Sequence, residues 1–401
     1  MFNKKSKTSK KNNWREFFVF GILIAIIVVS IVIIYQKHNA PSLELDSAMA
    51  GGDYLLRHLD KDGRFNYLYY PLSNEISNDY NILRHAGTTY SLLELYEATG
   101  RKKYLYGAER ALQYLARHLK PCGVANNFLC VVDEQNEVKL GGNGLAILAM
   151  TKYATVSKQT TYNQQAEKMG DWIVSTQTPA GEFAVHKMSA RGVADKNFIS
   201  NYYPGEALFG LVRLYELTGN KKYLTSATAG ARWLITVRDF GLSEDELDHD
   251  HWLLYGLNEL YDHDRNNLYV SHAEKIVNAI EKTQHVNRVG AEALWNGGYY
   301  NPPRSTPTAT RSEGLVAAYR LFKKAGRADR LNDVYQTLER GVAFQLRTQI
   351  TKDKMKILHL PVAARGGFGE SLYDMSVRID YVQHNVSALL GFEKIRSERT
   401  L

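Results

Sequence analysis

The stretch LLELYEATGRKKYL at 92–105 returns as LVRLYELTGNKKYL at 211–224. In both copies apolar residues recur at spacings of three and four, the period of a helix with one buried face. Each helix then meets Thr-Gly, and glycine is the residue that most readily ends a helix. A second amphipathic run opens almost at once. A weaker copy, AAYRLFKKAGRADRLN, occupies 317–332. The phrase predicts a tight helical hairpin repeated along the chain.

A second signal alternates with the first. Turns joining glycine to an aromatic occur as DKDGRF at 60–65, TPAGEF at 178–183, NGGYY at 296–300 and GGFG at 366–369. Each leads through a short extended stretch to a new helix. Those helices start near Asn81, Asn143, Tyr203, Asp250, Ala309 and Asp380, so five intervals span 299 residues and the mean period is about 60. Six such periods fill the 358 residues from Glu44 to Leu401. The expected outer helices are 44–59, 104–118, 162–177, 221–238, 268–285 and 327–347. The expected inner helices are 81–97, 143–155, 203–218, 250–262, 309–324 and 380–395. The inner set is the more apolar, as in GLAILAMTKYA at 144–154, and a helix apolar on most faces must be enclosed. Six inner helices ringed by six outer ones make an all-α fold, an (α/α)6 toroid over 44–401.

QTPAGEF, with Gln177, Gly181 and Phe183, resembles the Q-x-x-x-G-x-W/F motif of toroid proteins. FISNYYPGEALFGLVRLYELTG and RSEGLVAAYRLFKKAG resemble inner helices of six-hairpin glycosidases and of the C-terminal domain of D-glucuronyl C5-epimerases. The resemblance covers about 350 residues, is specific for architecture, and implies a carbohydrate-active protein. The same toroid carries hydrolases, lyases, epimerases, terpenoid cyclases and prenyltransferase subunits, so the reaction has to be argued from the site.

The net charge of +8 raises a nucleic-acid reading, which its distribution excludes. Residues 1–40 hold Lys4, Lys5, Lys7, Lys10, Lys11, Arg15 and Lys37 against Glu16, or +6, which leaves +2 for the other 361 residues. After a basic cytoplasmic tail (1–16) comes FFVFGILIAIIVVSIVIIY at 17–35, 19 residues without a charge. At 1.5 Å per residue it suffices to cross a hydrocarbon core of roughly 30 Å. It exceeds the h-region of a cleaved signal peptide, and no A-x-A site follows. The expected organisation is a single transmembrane signal anchor at 17–35, a linker at 36–43 and an extracytoplasmic domain, periplasmic in a Gram-negative host, with the N-terminus in the cytoplasm. Cys122 and Cys130 enclose CGVANNFLC; a local disulfide and two free thiols both suit the spacing.

In a toroid all six inner helices start at one mouth, which gathers positive dipole ends there and favours an anion. The residues at those starts suit a sugar carrying a carboxylate. The first start brings Asp79, Arg84 and His85, and the second Asn143. The third brings Tyr202, Tyr203 and Glu206, and the fourth Asp250 and Trp252 within DHDHW. The fifth brings Arg304, Arg311 and Glu313, and the sixth Arg378, Asp380, His384 and Asn385. Aromatic faces stack on pyranose rings, acids bind hydroxyls, and arginine forks a carboxylate. Candidate catalytic groups are Glu206, Tyr202, Asp380, His384, Glu313 and Asp250; the others are candidate substrate contacts. Asp79 and Asp250 also suit helix caps. Glu206, one turn into an apolar helix, needs a partner, and Arg311 or Arg84 is the expected one. DHDHW with His263 fits no metal-ligand spacing, so no metal is expected, and without a phosphate loop no nucleotide cofactor either.

These residues point to an enzyme on an envelope or exported polysaccharide, uronate-bearing. Either proton abstraction at C5 (epimerase or lyase) or hydrolysis by two carboxylates would serve. The alternative is a non-catalytic glycan-binding or scaffold protein of a membrane polysaccharide complex. A lipid cyclase is the third reading, and the polar mouth speaks against it.

Overall fold

The computed structural model describes residues 41–123, 127–358 and 360–400, together with residues 18, 19 and 22. Two units separate, Met1–Leu43 and Glu44–Leu401. The anchor expected over 17–35 lies, apart from those three positions, outside the described residues. Among the described residues no helix is long and apolar enough to cross a membrane.

Among the described residues, twelve long helices build the second unit. The inner ones are α2 (Ile82–Thr99), α4 (Leu140–Ser157), α6 (Tyr203–Thr218), α8 (His251–His263), α10 (Ser305–Lys324) and α12 (Ile379–Thr400). The outer ones are α1 (Leu43–Arg57), α3 (Lys102–Arg117), α5 (Asn163–Ser175), α7 (Lys221–Trp233), α9 (Asn267–Thr283) and α11 (Ala328–Thr348). Each inner helix packs on the next, and α12 packs back on α2, closing the ring. The chain is thus the six-hairpin (α/α)6 toroid expected from the repeat. The Thr-Gly stops act as read: Gly100 at φ 65° and Gly219 at φ 69° donate their amides to Tyr96 O and Tyr215 O.

The glycine-aromatic turns close an outer ring in the same way. Gly63, Gly181, Gly297 and Gly366 all have positive φ. A Cβ on each would lie 1.9–2.4 Å from a carbonyl oxygen of the next outer helix: Arg110 O, Ala229 O, Arg340 O and Ala50 O. Only glycine fits a turn pressed that close. Glutamines pin three of these turns. Gln177 donates to Gly181 O (2.8 Å) and Ser226 O (3.0 Å), and Gln284 to Gly297 O (3.2 Å) and Thr337 O (2.9 Å). Gln349 donates to Gly366 O (3.1 Å) and Ser47 O (2.8 Å), which ties the last outer helix to the first.

The extended stretches become short antiparallel strands around the mouth. β1 (Leu68–Tyr70) lies between β2 (Glu75–Ile76) and β7 (Val377–Arg378), with Leu68 opposite Arg378. β3 (Leu119–Cys122) pairs with β4 (Phe128–Val131), and the Cys122–Cys130 disulfide joins them. β5 (Glu137–Lys139) pairs with β6 (Lys187–Ser189). Two inner helices begin earlier than expected. α4 includes Gly141 and Gly142, and α10 starts at Ser305 because Pro307 falls in its first turn, where a missing amide costs nothing.

Candidate functional site

The starts of the inner helices surround a cavity of about 340 Å³. Its wall includes Arg84, Tyr202, Tyr203, Glu206, Trp252, Arg304, Arg311, Arg378, Asp380 and His384 among the sequence-derived candidates. Six of the candidates lie elsewhere. His85 is a core residue, its ring nitrogens engaged by Tyr80 Oη (2.7 Å) and Ala111 O (2.8 Å). Asn143 joins Lys139 O to the Val131 amide, and Asn385 bridges to Ser305 Oγ (2.8 Å), both fully buried. Asp79 is exposed and accepts from Ser77 Oγ, while Asn81 caps α2. Asp250 caps α8, accepting from the Leu253 amide at 3.0 Å. Glu313 sits one layer behind the cavity wall and acts on it through His384.

The inner end of the cavity carries a pair of histidines that the candidate residues only half anticipated. His384 Nδ1 lies 2.7 Å from Glu313 Oε2, and this leaves Nε2 for a ligand. His251, the first residue of α8, lies ring to ring with His384 at 5.3 Å and with Trp252 at 4.6 Å. Both nitrogens of His251 are buried without a hydrogen bond, and Nε2 lies 3.9 Å from Glu313 Oε2. Burial, with the His384 and Arg311 charges nearby, holds His251 well below the usual imidazole range, so it is neutral. Burial opposes the charged form of His384 too, but Glu313 outweighs it and raises the His384 pKa. Burial in turn pushes Glu313 up to about 7 against the pull of His384. Both shifts favour a proton held between His384 and Glu313. The ligand atoms of His251, Glu313 and His384 lie within 4.8 Å of one another, so this is also the place where a metal would find donors. The 2.7 Å His384–Glu313 spacing is that of a direct hydrogen bond.

The charges around this pair are unequal. Asp380 is clamped by Arg378 (2.6 and 3.0 Å) and Arg84 (3.1 Å), and these arginines overcome burial to hold its carboxyl below the usual range. Arg304 pairs with Glu370 at 2.9 Å. Arg311 donates to His249 Nδ1 at 2.7 Å and to Pro307 O. Burial and Arg311 push His249 down to about 3, so it leaves the guanidinium charge uncompensated, and among the described residues no carboxylate pairs with Arg311. Glu206 meets neither expected arginine. Its Oε2 is buried without a partner, over Gly141 of α4, and burial together with Asp250 raises it well above the carboxylate range. Burial also raises Tyr202, which stays a protonated donor at neutral pH and is no base. Tyr300, on a mouth turn, stacks under Arg311 at 5.1 Å. His249 and His251 stood in DHDHW, where only Asp250 and Trp252 were singled out.

No protein family matches the chain, and no curated protein matches it. Its fold does match solved structures. A D-mannose isomerase superposes with a TM-score of 0.60 at 17% identity over 89% of this chain and 100% of that one. A cellobiose 2-epimerase from Bacillus thermoamylovorans B4167 gives 0.65 at 12% identity over 88% and 99%. A GH76A alpha-1,6-mannanase from Salegentibacter sp. HEL1_6 gives 0.59 at 13% over 88% and 99%. At these identities the likeness is one of fold.

Proposed function

We propose that the chain is a carbohydrate-active enzyme, anchored in a membrane through 17–35, whose extracytoplasmic toroid epimerises or cleaves a uronate-containing polysaccharide by proton abstraction. One observation carries this reading: a neutral His251 stands ring to ring with a proton-bearing His384–Glu313 pair at the inner end of one cavity. That is a base and an acid at matched positions, the arrangement a proton exchange at carbon requires. His251 would take the proton from C5. The electron pair moves into the carboxylate as an enediolate, which Arg311 neutralises. His384 then protonates C5 from the other side (epimerase), or gives its proton to the 4-linked oxygen as the C4–O bond breaks and C4=C5 forms (lyase). Arg84 and Arg378 hold Asp380 ionised, ready to accept sugar hydroxyls. The similar folds include a D-mannose isomerase and a cellobiose 2-epimerase as well as GH76 mannanases, so the fold accommodates this reading and the hydrolytic one alike.

Glu206 favours a second reading, hydrolysis. A buried carboxyl held protonated at the cavity wall is what a glycosidase acid needs. The two readings, and the binder, separate in one experiment. The purified full chain is incubated with uronate-containing oligosaccharides in heavy water and followed by NMR. Deuterium at C5 without shortening, or a new unsaturated end, is the expected outcome, abolished in His251→Asn and His384→Asn. Saturated reducing ends that vanish in Glu206→Gln would replace it with hydrolysis. Binding without any product would make the protein a glycan binder.

A further inference from the structure

The ring has a second opening. At the end opposite the mouth all six inner helices contribute to a chamber of about 470 Å³. Its floor is aromatic: Phe209 stacks on Tyr255 at 5.3 Å and 7°, and Tyr255 lies 6.0 Å from the Trp252 ring of the mouth cavity. The two cavities share this wall and nothing in the proposed chemistry uses the far one.

The chamber holds more positive than negative side chains. Lys152, Arg213, Arg320, Lys324 and Lys394 face Glu94, Glu97 and Glu259. Lys152 is taken by Glu97 (2.5 Å), Arg213 by Glu259, and Lys324 by Asp262 outside the chamber (2.5 Å). Among the described residues no carboxylate pairs with Arg320 or Lys394. Glu94 accepts only the Ser387 hydroxyl (2.5 Å), and burial raises its pKa, which weakens it as a counter-charge. Helix C-termini attract cations, but these ends are met separately. The amides of Gly100, Lys158 and Gly219 cap α2, α4 and α6, and Lys324 Nζ donates to Asn258 O on α8 at 3.0 Å. Glu94 and Glu398 lie near enough to act on Arg320 and Lys394, but among the described residues neither cation is held in an ion pair.

A second observation is independent of charge. Asn258, 5% exposed and on the chamber wall, has its Oδ1 buried without a partner. Beside it Arg213 and Glu259 pair through Nη2 and Oε1, while Glu259 Oε2 and Arg213 Nε are buried and make no hydrogen bond. Three unpartnered polar atoms in one chamber are costly unless something fills them. Two accept and one donates, which matches hydroxyl groups.

We propose that this chamber is a second ligand site, for a small hydroxylated oxyanion such as a sugar acid or sugar phosphate. Its carboxylate or phosphate meets Arg320 and Lys394, and its hydroxyls meet Asn258, Glu259 and Arg213. The site stands whether or not the mouth is catalytic, because it is tested by binding alone. Calorimetry on the full chain carrying Arg311→Gln, which weakens the mouth for anions, isolates the far chamber. Glucuronate and glucose 6-phosphate are the probes, and they tell carboxylate from phosphate; glucose is the neutral control. The expected result is a Kd below about 1 mM for one anion, weakened about tenfold or more by Arg320→Gln and by Lys394→Gln. Lys394 is exposed, so its variant tests the site without burdening the fold. Absence of anion binding, equal binding of glucose, or binding indifferent to Lys394→Gln would overturn the proposal.

Discussion

Asp250 shows how one residue can satisfy a helix and still burden the fold. It caps α8 through the Leu253 amide, but burial pushes its carboxyl up to about 7 against Arg238, which stands 3.8 Å away. A raised carboxyl favours the folded state below the unfolded value near 3.8, and that stability is lost as pH rises through the folded value near 7. Asparagine keeps the cap and carries no charge. Asp250→Asn should therefore raise the melting temperature at pH 8, by about 2 kcal/mol or more in stability, with the gain gone near pH 4. A gain independent of pH would contradict the buried charge. Glu313 offers the matching test of chemistry. Glu313→Gln removes the charge that raises His384; burial and Arg84 then lower it, with Asp380 alone opposing. The alkaline limb of kcat/KM should move down by about one pH unit or more, and an unmoved limb would exclude His384 as the acid. The sequence showed Glu313 and His384 at two helix starts but not that they meet, because 70 residues and a whole outer helix lie between them. Asp380 and His384, one turn apart on α12, are divided between Arg378 and Glu313. His251 reads in sequence as part of a cap and solvated loop, because it follows a capping Asp, and only enclosure by Trp252 and His384 makes it a buried base.

At the scale of elements, two glycines of α4 decide how near α6 comes. A Cβ on Gly144 would lie 2.6 Å from Glu206 O, which is helix backbone and cannot yield. Gly144→Ala should cost about 1–3 kcal/mol, read by urea denaturation. On Gly141 a Cβ would meet Glu206 Oε2 at 1.8 Å and the Tyr203 ring at 2.5 Å, both side chains that can turn. Gly141→Ala should cost less stability than Gly144→Ala while displacing Glu206, so activity falls further than the melting temperature does. The reverse ranking would mean that Glu206 is only packing. The same glycines explain what the sequence concealed. Gly141 and Gly142 read as a loop before Asn143, whereas α4 starts at Leu140 because its first turn must be bare where Glu206 and Leu83 lean on it. Pro307 similarly hid the start of α10. The repeat itself was plain, since Thr-Gly stops and glycine-aromatic turns are local chemistry. The glutamine pins were visible only at Gln177; Gln284 and Gln349 repeat its contacts without the following Phe at the same spacing.

The whole molecule is closed twice, by α12 on α2 and by Gln349 on α1. Gln349→Ala would leave the Ser47 and Gly366 carbonyls, both enclosed, without that donor and should cost about 1–3 kcal/mol, measurable as a lowered denaturant midpoint. This closure also bears on the charge. Glu44–Leu401 forms its own compact unit, and the twelve helices of the ring are found among its described residues and Leu43. Residues 1–40 contribute +6 of the +8 and the 19 uncharged residues at 17–35. Basic residues before an apolar run orient it, and an apolar run of that length partitions into a bilayer. Removing 1–40 should then change location and leave folding alone. The full chain is expected to sediment with membranes and to resist washing with alkaline carbonate, whereas a chain starting at Pro41 stays in the supernatant with the melting temperature of the intact protein. If carbonate releases the full chain, 17–35 is not an anchor. If the shortened chain fails to melt cooperatively, the N-terminal segment belongs to the fold and the ring is not closed without it.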